Sequence, residues 1–277
     1  MGTVGVAAGL IGLIAVRPES LLFYPSSHVG VTPDAIGWGY EAVSLATDDG
    51  ETVTGWFLAA DADARLADPE RQARVVLYCH GNGGNIGGRL GVLEGLRELG
   101  VAVLIFDYRG YGDSSGRPTV AGTRLDVRAA WRHLVEDRGF APEQIVIWGR
   151  SLGGAVAIDL AAELSRASTP PAALVAESTF TSTVDVGKSV YPWLPVQWFA
   201  AKIDYPSKTL LADVTAPVLL AHSPGDDLIP ASQGAALREV AEAGAAARVS
   251  FIELDGGHND GHLAQARHMP AVAAFLP

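Results

Sequence analysis

Six short apolar segments, separated by helical patterns, most constrain how this chain of 277 residues can fold. The segments are nearly continuous apolar runs, which is typical of parallel strands that are buried on both faces of a sheet. The stretches between them repeat apolar residues at a spacing near 3.6, as crossover helices do. The pattern predicts an α/β fold with a mostly parallel, twisted sheet and helices on both faces. The segments are RVVLYCH, VAVLIFDY, QIVIWG, AALVAES, APVLLAHS and RVSFIEL, and the helices are predicted over residues 89–99, 122–135, 152–165, 231–243 and 262–275.

Two further strands are predicted ahead of this alternating region. EAVSLATDDGETVTGWFLAA contains two strand patterns joined at Asp48-Asp49-Gly50, which is a strong hairpin signal. No internal repeat, linker or break in composition divides the rest of the chain. We therefore predict one domain over residues 22–277 with an N-terminal antiparallel hairpin, preceded by a hydrophobic segment over residues 1–21.

Residues 2–16, GTVGVAAGLIGLIAV, are uncharged and mostly apolar. The run is shorter than the roughly 20 residues that a membrane-spanning helix needs, and it lacks the positive start and cleavage site of a secretory signal. Three interpretations stay open: a membrane anchor, the remnant of a signal or longer anchor, and an apolar helix packed on the domain. If the segment is a membrane anchor, we expect the protein to be membrane-associated through it and otherwise cytoplasmic.

Composition and charge exclude several classes of protein. Hydrophobic residues make up 48% of the chain and charged residues 18%, which predicts a folded globular protein. The formal net charge of -11 repels phosphate backbones, so we expect no nucleic-acid partner.

The single cysteine, Cys79, cannot form an intramolecular disulfide. A Cys79–His80 nucleophile pair is disfavoured because neighbouring side chains on a strand point to opposite faces. Nothing in the sequence indicates the oligomeric state.

The pattern Gly-x-Ser-x-Gly occurs twice, as GRSLG around Ser151 and as GDSSG around Ser114. Ser151 directly follows the predicted strand QIVIWG and precedes a predicted helix. Such a strand-to-helix turn is strained and lifts the serine hydroxyl clear of the sheet. Ser114 lies among four glycines and a proline, which is typical of a loop. The context predicts Ser151 as a nucleophile.

A serine hydroxyl is a poor nucleophile at neutral pH and needs a base that is oriented by a third group. PVLLAHS runs into PGDDLIP, which offers Asp226 or Asp227 as the acid, and the last strand runs into GHNDG, which offers His258 as the base. The order Ser, Asp, His is typical of a serine hydrolase with this alternation. Sequence physics does not separate the two aspartates, and the one that is not the acid is expected to face solvent or cap the helix near Ala231. Structural roles are expected for His222, His262 and His268.

The segment HGNGGN, residues 80–85, follows the first parallel strand. Its glycines allow backbone N–H groups to turn towards a developing oxyanion. A nucleotide-binding loop is the alternative, but Ile86 stands where the third glycine is required and no Gly-Lys-Ser/Thr is present. We expect no cofactor and no metal.

Several motifs carry a family resemblance: HGNGGNIGG, FDYRGYGDSSGRP, GRSLGGAVA, DDLIP and GGHND. Together they resemble the α/β-hydrolase superfamily, and within it the single-pass α/β-hydrolase-domain serine hydrolases of the depalmitoylase and serine aminopeptidase-like branch. The resemblance covers roughly residue 22 to the C-terminus. It implies the α/β-hydrolase fold, Asp226 as the acid, and the backbone N–H groups of Asn82 and Leu152 as the oxyanion hole.

The family often carries a cap over the site, and only residues 179–208 are available for one here. A cap is therefore expected to be small or absent. The segment is rich in aromatic residues and prolines that could form a wall of a substrate pocket. The candidates for this wall are Tyr191, Trp193 and Trp198.

The expected activity is hydrolysis of carboxylic esters or thioesters, with a small-molecule or lipid acyl ester as substrate. Ser151 attacks, His258 takes and returns the proton, and Asp226 orients the imidazole. An aminopeptidase or amidase with the same triad is the close alternative, although no acidic cluster marks a site for a substrate amine. A noncatalytic binding protein on this fold is the second alternative, although no triad member is missing.

Overall fold

An eight-stranded sheet forms the centre of the computed structural model, which describes residues 18–66, 70, 73–200 and 203–276. With the strands numbered β1 to β8 in chain order, their order across the sheet is β8-β7-β6-β5-β3-β4-β2-β1. All neighbours pair in parallel except β1 with β2 and β2 with β4, so the predicted mostly parallel sheet with an N-terminal hairpin is confirmed. The strands are β1 (Glu41–Ala46), β2 (Thr52–Leu58), β3 (Val75–Cys79), β4 (Ala102–Phe106), β5 (Ile145–Arg150), β6 (Ala173–Glu177), β7 (Val218–His222) and β8 (Val249–Glu253).

Helices follow most of the parallel strands, as the crossover pattern predicts. A 3-10 turn over Ile86–Arg89 leads into the first α-helix, and a π-helical turn over His133–Asp137 extends the second. The α-helices are α1 (Leu90–Arg97), α2 (Val120–Arg132), α3 (Leu152–Arg166), α4 (Thr183–Val190), α5 (Gln197–Ala200), α6 (Ser207–Leu211), α7 (Ala231–Ala243) and α8 (Met269–Phe275).

The sheet separates two apolar layers. On one face Leu77 and Ile147 belong to the layer that includes buried residues of α2, α3 and α7. On the other face Tyr78 and Trp148 pack in the layer with α1 and α8. Successive side chains of a strand point to opposite faces, so a strand between two layers must be apolar at every position. This explains the continuous apolar runs, whereas the edge strand β8 is only partly buried.

The last helix is shorter than the predicted range of residues 262–275. It begins at Met269, and Pro270 lies in its first turn. Proline lacks the backbone N–H, and its ring clashes with the carbonyl four residues earlier, so a helix tolerates it only at the start. Residues 262–268 form turns instead. His262 therefore lies outside the helix, and His268 is its N-cap.

The predicted hydrophobic segment, residues 2–16, lies outside the described residues. Within the part of the chain that the structure describes, no helix is long and apolar enough to cross a membrane. The described chain starts with a 3-10 turn over Pro18–Leu21. It then pairs Tyr24–Pro25 in parallel with Gly83–Gly84, which brings this N-terminal stretch beside the loop that follows β3.

Candidate active site

Ser151 lies on the sharp turn between β5 and α3. Its backbone has φ 54° and ψ -121°, a conformation that residues with a side chain rarely adopt. Such strain costs about 1–3 kcal/mol and persists where the surrounding structure enforces it. The result is a side chain that lines a cavity at the carboxyl end of β5.

The glycines of the motif allow α3 to pack directly on the sheet. A β-carbon at Gly149 would overlap the Gly153 carbonyl group, and one at Gly153 would overlap the Cys79 carbonyl oxygen. Only glycine fits at either position without a shift of the backbone. The close approach of helix and strands explains why this turn needs glycine on both sides of the serine.

A chain of hydrogen bonds joins Ser151, His258 and Asp226. His258 Nε2 lies 3.1 Å from Ser151 Oγ, and His258 Nδ1 lies 2.8 Å from Asp226 Oδ2. A carboxylate beside Nδ1 favours the tautomer that carries its hydrogen there, which leaves Nε2 free to accept the serine hydrogen. His258 is 4% exposed and follows β8, while Asp226 follows β7. The arrangement suits removal of the serine proton.

The Asp226 carboxylate is held by backbone groups as well as by His258. Its Oδ1 accepts hydrogen bonds from the N–H groups of Leu228 at 2.9 Å and Ile229 at 2.7 Å. Burial acts to raise the pKa of Asp226, but the hydrogen bonds from His258 and Ile229 outweigh it, so the pKa lies below its usual value. The group is therefore an anion at neutral pH.

Asp227 faces solvent, one of the two alternatives expected for the second aspartate, and it also contacts His258. It is exposed, but its Oδ1 accepts the backbone N–H of His258 at 2.9 Å. It does not cap the helix at Ala231, because the N-cap of α7 is Pro230 and Asp226 itself accepts the free N–H groups ahead of that helix. Asp226 and Asp227 thus contact the ring and the backbone of the same histidine.

A buried ion pair lies behind His258. Arg150 Nε lies 3.1 Å from Glu177 Oε1, and Arg150 also donates to the His258 carbonyl oxygen. Glu177 Oε2 accepts the backbone N–H of Leu263 at 2.9 Å, and burial raises the pKa of Glu177. The pair ties the histidine loop to the ends of β5 and β6. Neither Arg150 nor Glu177 was predicted as a site residue, although a charged residue at the end of an apolar strand run was a signal for both.

The loop after β3 brings Asn82 to the same cavity as Ser151 and Leu152. The Asn82 carbonyl accepts hydrogen bonds from the Tyr24 N–H at 3.1 Å and from the Tyr111 hydroxyl at 2.7 Å, and its side chain donates to the Leu22 carbonyl. These hydrogen bonds fix the orientation of the Asn82 carbonyl group and of its side chain. Leu152 is the first residue of α3, so its N–H has no partner within the helix. Both residues predicted for the oxyanion hole therefore line the same cavity as Ser151.

Ser114, the serine of the second motif, is bonded to backbone groups. Its Oγ donates to the Asp107 carbonyl at 2.9 Å and accepts the Thr54 N–H at 2.9 Å. In the same loop, Tyr108 donates to the His80 carbonyl at 2.9 Å. The loop thus joins β2 to the segment that carries Asn82, and Ser114 has a structural place in it.

A cavity of about 330 Å³ opens at Ser151 and has mainly apolar walls. Of the three residues predicted for a substrate-pocket wall, Tyr191 lines this cavity, whereas Trp193 and Trp198 are 69% and 72% exposed and do not line it. Leu194 and Val196 take the buried positions in this stretch instead. The apolar and aromatic side chains of the wall are Leu21, Leu22, Tyr24, Phe180, Val186, Val190, Tyr191, Val196, Ile203, Leu228 and Ile229.

Two parts of this wall were not anticipated. Leu21, Leu22 and Tyr24 come from the N-terminal stretch, and Leu228 and Ile229 follow the acid loop. Leu228 and Ile229 had a visible signal in the sequence, because two apolar residues directly after an acidic pair in a loop are unusual on a soluble surface. Leu21, Leu22 and Tyr24 had no such signal, because the residues that they contact lie far away in the sequence. Within the described ranges, no group of three or more His, Cys, Asp or Glu side chains is arranged to hold a metal ion.

Comparison with known proteins agrees with this architecture. Residues 74–258 match the family model described as alpha/beta hydrolase fold. An uncharacterized protein of Mycobacterium tuberculosis is 36% identical over 98% of this chain and 91% of its own length. The lysophosphatidylserine lipase ABHD12 of Danio rerio is 36% identical over 67% of this chain and 52% of its own length.

Among solved structures, the Pyrococcus furiosus esterase Pf2001 superposes with a TM-score of 0.71 at 22% identity, covering 91% of this chain and 98% of the esterase. At that identity the likeness concerns the fold alone. The family match and the relatives together show that this chain belongs to the α/β-hydrolase family.

Proposed function

We propose that this protein is a serine hydrolase that cleaves carboxylic esters of apolar acids through an acyl-enzyme. The observation that carries the proposal is the hydrogen-bond chain from Asp226 through His258 to Ser151. The serine is on a strained turn and opens into a largely apolar cavity, which suits a nucleophile that must reach an acyl group.

In the first half of the reaction, Ser151 Oγ attacks the carbonyl carbon while His258 Nε2 takes the hydroxyl proton. Asp226 keeps the hydrogen on Nδ1 and stabilises the imidazolium that forms. The N–H groups of Asn82 and Leu152 bind the negative oxygen of the tetrahedral intermediate. His258 then returns the proton to the leaving alcohol, which departs and leaves the acyl group on Ser151.

In the second half, water replaces the alcohol. His258 Nε2 takes a proton from the water as its oxygen attacks the acyl carbon, and the same two N–H groups bind the oxyanion again. Collapse of the intermediate releases the carboxylic acid, and the proton returns to Ser151. A thioester would pass through the same acyl-enzyme, with a thiol as the leaving group.

The cavity supports an apolar acyl group as the part of the substrate that is recognised. Its wall offers almost only aliphatic and aromatic side chains, and apolar surface that leaves water on binding provides affinity without directional contacts. One relative is named a lysophosphatidylserine lipase, which makes a lipid ester with a single acyl chain a reasonable substrate class for this chain too.

Labelling with a fluorophosphonate probe tests the proposal, followed by kcat/KM for p-nitrophenyl acetate, butyrate, octanoate and dodecanoate. We expect the adduct on Ser151, no labelling of Ser151→Ala, full labelling of Ser114→Ala, and a preference for one of the longer esters. An adduct on Ser114 would contradict the assignment of the nucleophile. A preference for the acetate over every longer ester would contradict the apolar acyl group.

A further inference from the structure

All three lysines of the chain lie within residues 188–208, which we call the lysine segment; they are Lys188, Lys202 and Lys208. Every other basic side chain is an arginine or a histidine. The segment contains one acidic residue, Asp204, while the chain as a whole has a formal net charge of -11. Lys188 and Lys208 are exposed. The lysine segment is therefore a locally basic stretch on an acidic protein.

The lysine segment also carries the two most exposed tryptophans. Trp193 is 69% exposed and Trp198 is 72% exposed, whereas Trp56, Trp131 and Trp148 are buried. Tryptophan is costly to leave in water, so two such side chains in one short segment indicate a surface that meets a partner.

Trp193 contacts the cavity wall, and Trp198 is close to a wall residue in the sequence. The Trp193 ring meets the ring of the wall residue Tyr191 edge-on, with centroids 6.4 Å apart, and Trp198 lies two residues after the wall residue Val196. Two wall residues are themselves exposed, Tyr24 at 47% and Leu228 at 39%. Four of the six exposed large apolar side chains of the described chain thus belong to the cavity wall or adjoin it; the other two are Val31 and Ile36.

Helix α4 separates the two properties onto different faces. Thr183, Val186, Gly187 and Val190 line the cavity, at the spacing of one helical face. Lys188 is exposed on another face of the same helix. One short helix therefore presents apolar side chains to the cavity and a positive charge to the outside.

We propose that the described part of the lysine segment docks on an anionic lipid surface, with Trp193 and Trp198 at the level of the headgroups and Lys188 and Lys208 facing the negative charge. Tryptophan favours the membrane–water interface because its ring is apolar and its N–H is polar, and lysines near an anionic surface add electrostatic attraction. The cavity mouth then faces the lipid, and a lipid ester enters it from the surface. Only this last step rests on the proposed function.

Quenching of tryptophan fluorescence by brominated phosphatidylcholine tests the docking directly. The full chain carries Ser151→Ala, so that no ester is consumed, and the vesicles contain phosphatidylcholine and phosphatidylglycerol. We expect strong quenching that Trp193→Phe/Trp198→Phe removes, because the other tryptophans are buried or partly buried. Residues 2–16 contain no tryptophan, so insertion of that segment does not produce the signal. Equal quenching in the parent and the double variant would overturn the proposal. An absence of quenching in the parent would also overturn it, and is the result expected if this surface binds a protein and not a lipid.

Charge is tested with a matched pair of variants on the same vesicles. Lys188→Gln/Lys208→Gln is expected to reduce quenching on anionic vesicles to the level seen on pure phosphatidylcholine. Arg166→Gln/Arg238→Gln removes the same charge from two arginines whose side chains are each 51% exposed elsewhere, and it is expected to change nothing. An equal loss in both variants would mean that the net charge, and not the lysine segment, drives binding.

Turnover separates docking from chemistry. Trp193→Ala/Trp198→Ala is expected to lower hydrolysis of a vesicle-borne ester roughly tenfold while leaving a soluble aryl butyrate unchanged, and Val31→Ala/Ile36→Ala is the matched control. Cleavage of the soluble ester without lipid quenching would refute the docking alone. Lipid quenching in a protein that cleaves no ester would refute the proposed function and leave the docking in place.

Discussion

The two sides of the cavity are built in different ways. On the side of the sheet, Ser151, Asp226 and His258 each follow a parallel strand, and hydrogen bonds to side chains or backbone hold Asp226 and His258. On the opposite side, α4 and the turn after it present apolar side chains. A hydrogen bond of 2.6 Å between the exposed hydroxyls of Tyr24 and Tyr191 joins this side to the N-terminal stretch.

Under the proposed function, this difference separates chemistry from substrate selection. A hydrogen bond has a required distance and angle, so each polar residue of the sheet side has a specific task that few other residues can perform. Apolar contacts are not directional, so the α4 side selects by volume and tolerates exchange among side chains of similar size. Changes on the first side should abolish turnover, and changes on the second should redirect it.

The sharpest test of the sheet side is its serine. Ser151→Ala is expected to lower kcat/KM for an aryl butyrate by roughly 10⁴- to 10⁶-fold, because the proposed acyl-enzyme forms on the Ser151 hydroxyl. Ser114→Ala is the matched control. It should retain most of the activity and lose about 1–3 kcal/mol of stability, because the Thr54 N–H loses its acceptor. The comparison breaks if the Ser114 variant is the inactive one.

The neighbouring aspartates come next in size. Asp226→Asn is expected to lower kcat by roughly 10³- to 10⁴-fold, because an amide no longer secures the tautomer of His258. Asp227→Asn should stay within about tenfold of the parent, because the asparagine oxygen can still accept the His258 N–H. The kcat values of both variants on one aryl ester decide the matter, with thermal melting as the control for folding. A reversed ranking would transfer the orienting role to Asp227.

The α4 side is tested by filling its volume. Val186→Phe places a larger side chain in the cavity wall and is expected to lower kcat/KM for the dodecanoate about 10- to 100-fold. The acetate should change little, because the polar residues are untouched. Ser189→Phe, on an exposed position of the same helix, is the matched control and should affect neither ester. A parallel loss on both esters would show that the two sides are not independent.

The smallest expected effect is a dependence of stability on pH. The pKa of Asp226 is lower in the folded protein than the value of about 3.9 in an unfolded chain, so its ionised form stabilises the fold above that pH. This contribution is lost as the pH falls through the folded-state pKa. The difference in Tm between the parent and Asp226→Asn should therefore narrow from about pH 5 downwards. The difference in Tm between the parent and Ser114→Ala should stay constant over the same pH range. If the difference between the parent and Asp226→Asn widened at low pH, the negative charge assigned to Asp226 would be wrong.

The sequence was most informative where a residue's surroundings are dictated by local pattern. The strand β3 was predictable because a strand between two apolar layers is apolar throughout, and the position of Ser151 followed from the strand and helix around it. Pro270 was also visible in the sequence, and its effect on the last helix was underestimated. The spacing of apolar residues outweighed a proline that forbids the helix interior.

Contacts between distant parts of the chain were not predictable in the same way. The aromatic residues after α4 gave no sign of which would face inwards, and the structure turns Tyr191 to the cavity and Trp193 to the outside. Periodicity fails there because the stretch is short and contains Pro192 and Pro195. The place of Leu22 in the cavity wall depends on the Asn82 loop, 60 residues later, and no local pattern records such a pairing.

Ser151 precedes the histidine that it contacts by 107 residues. During synthesis the proposed nucleophile therefore leaves the ribosome long before its proposed base, which follows the last strand at the edge of the sheet. Until β8 joins β7, the serine is an ordinary alcohol, since its activation needs a contact of high sequence separation. A chain that has not yet reached His258 therefore presents no activated hydroxyl to the esters around it.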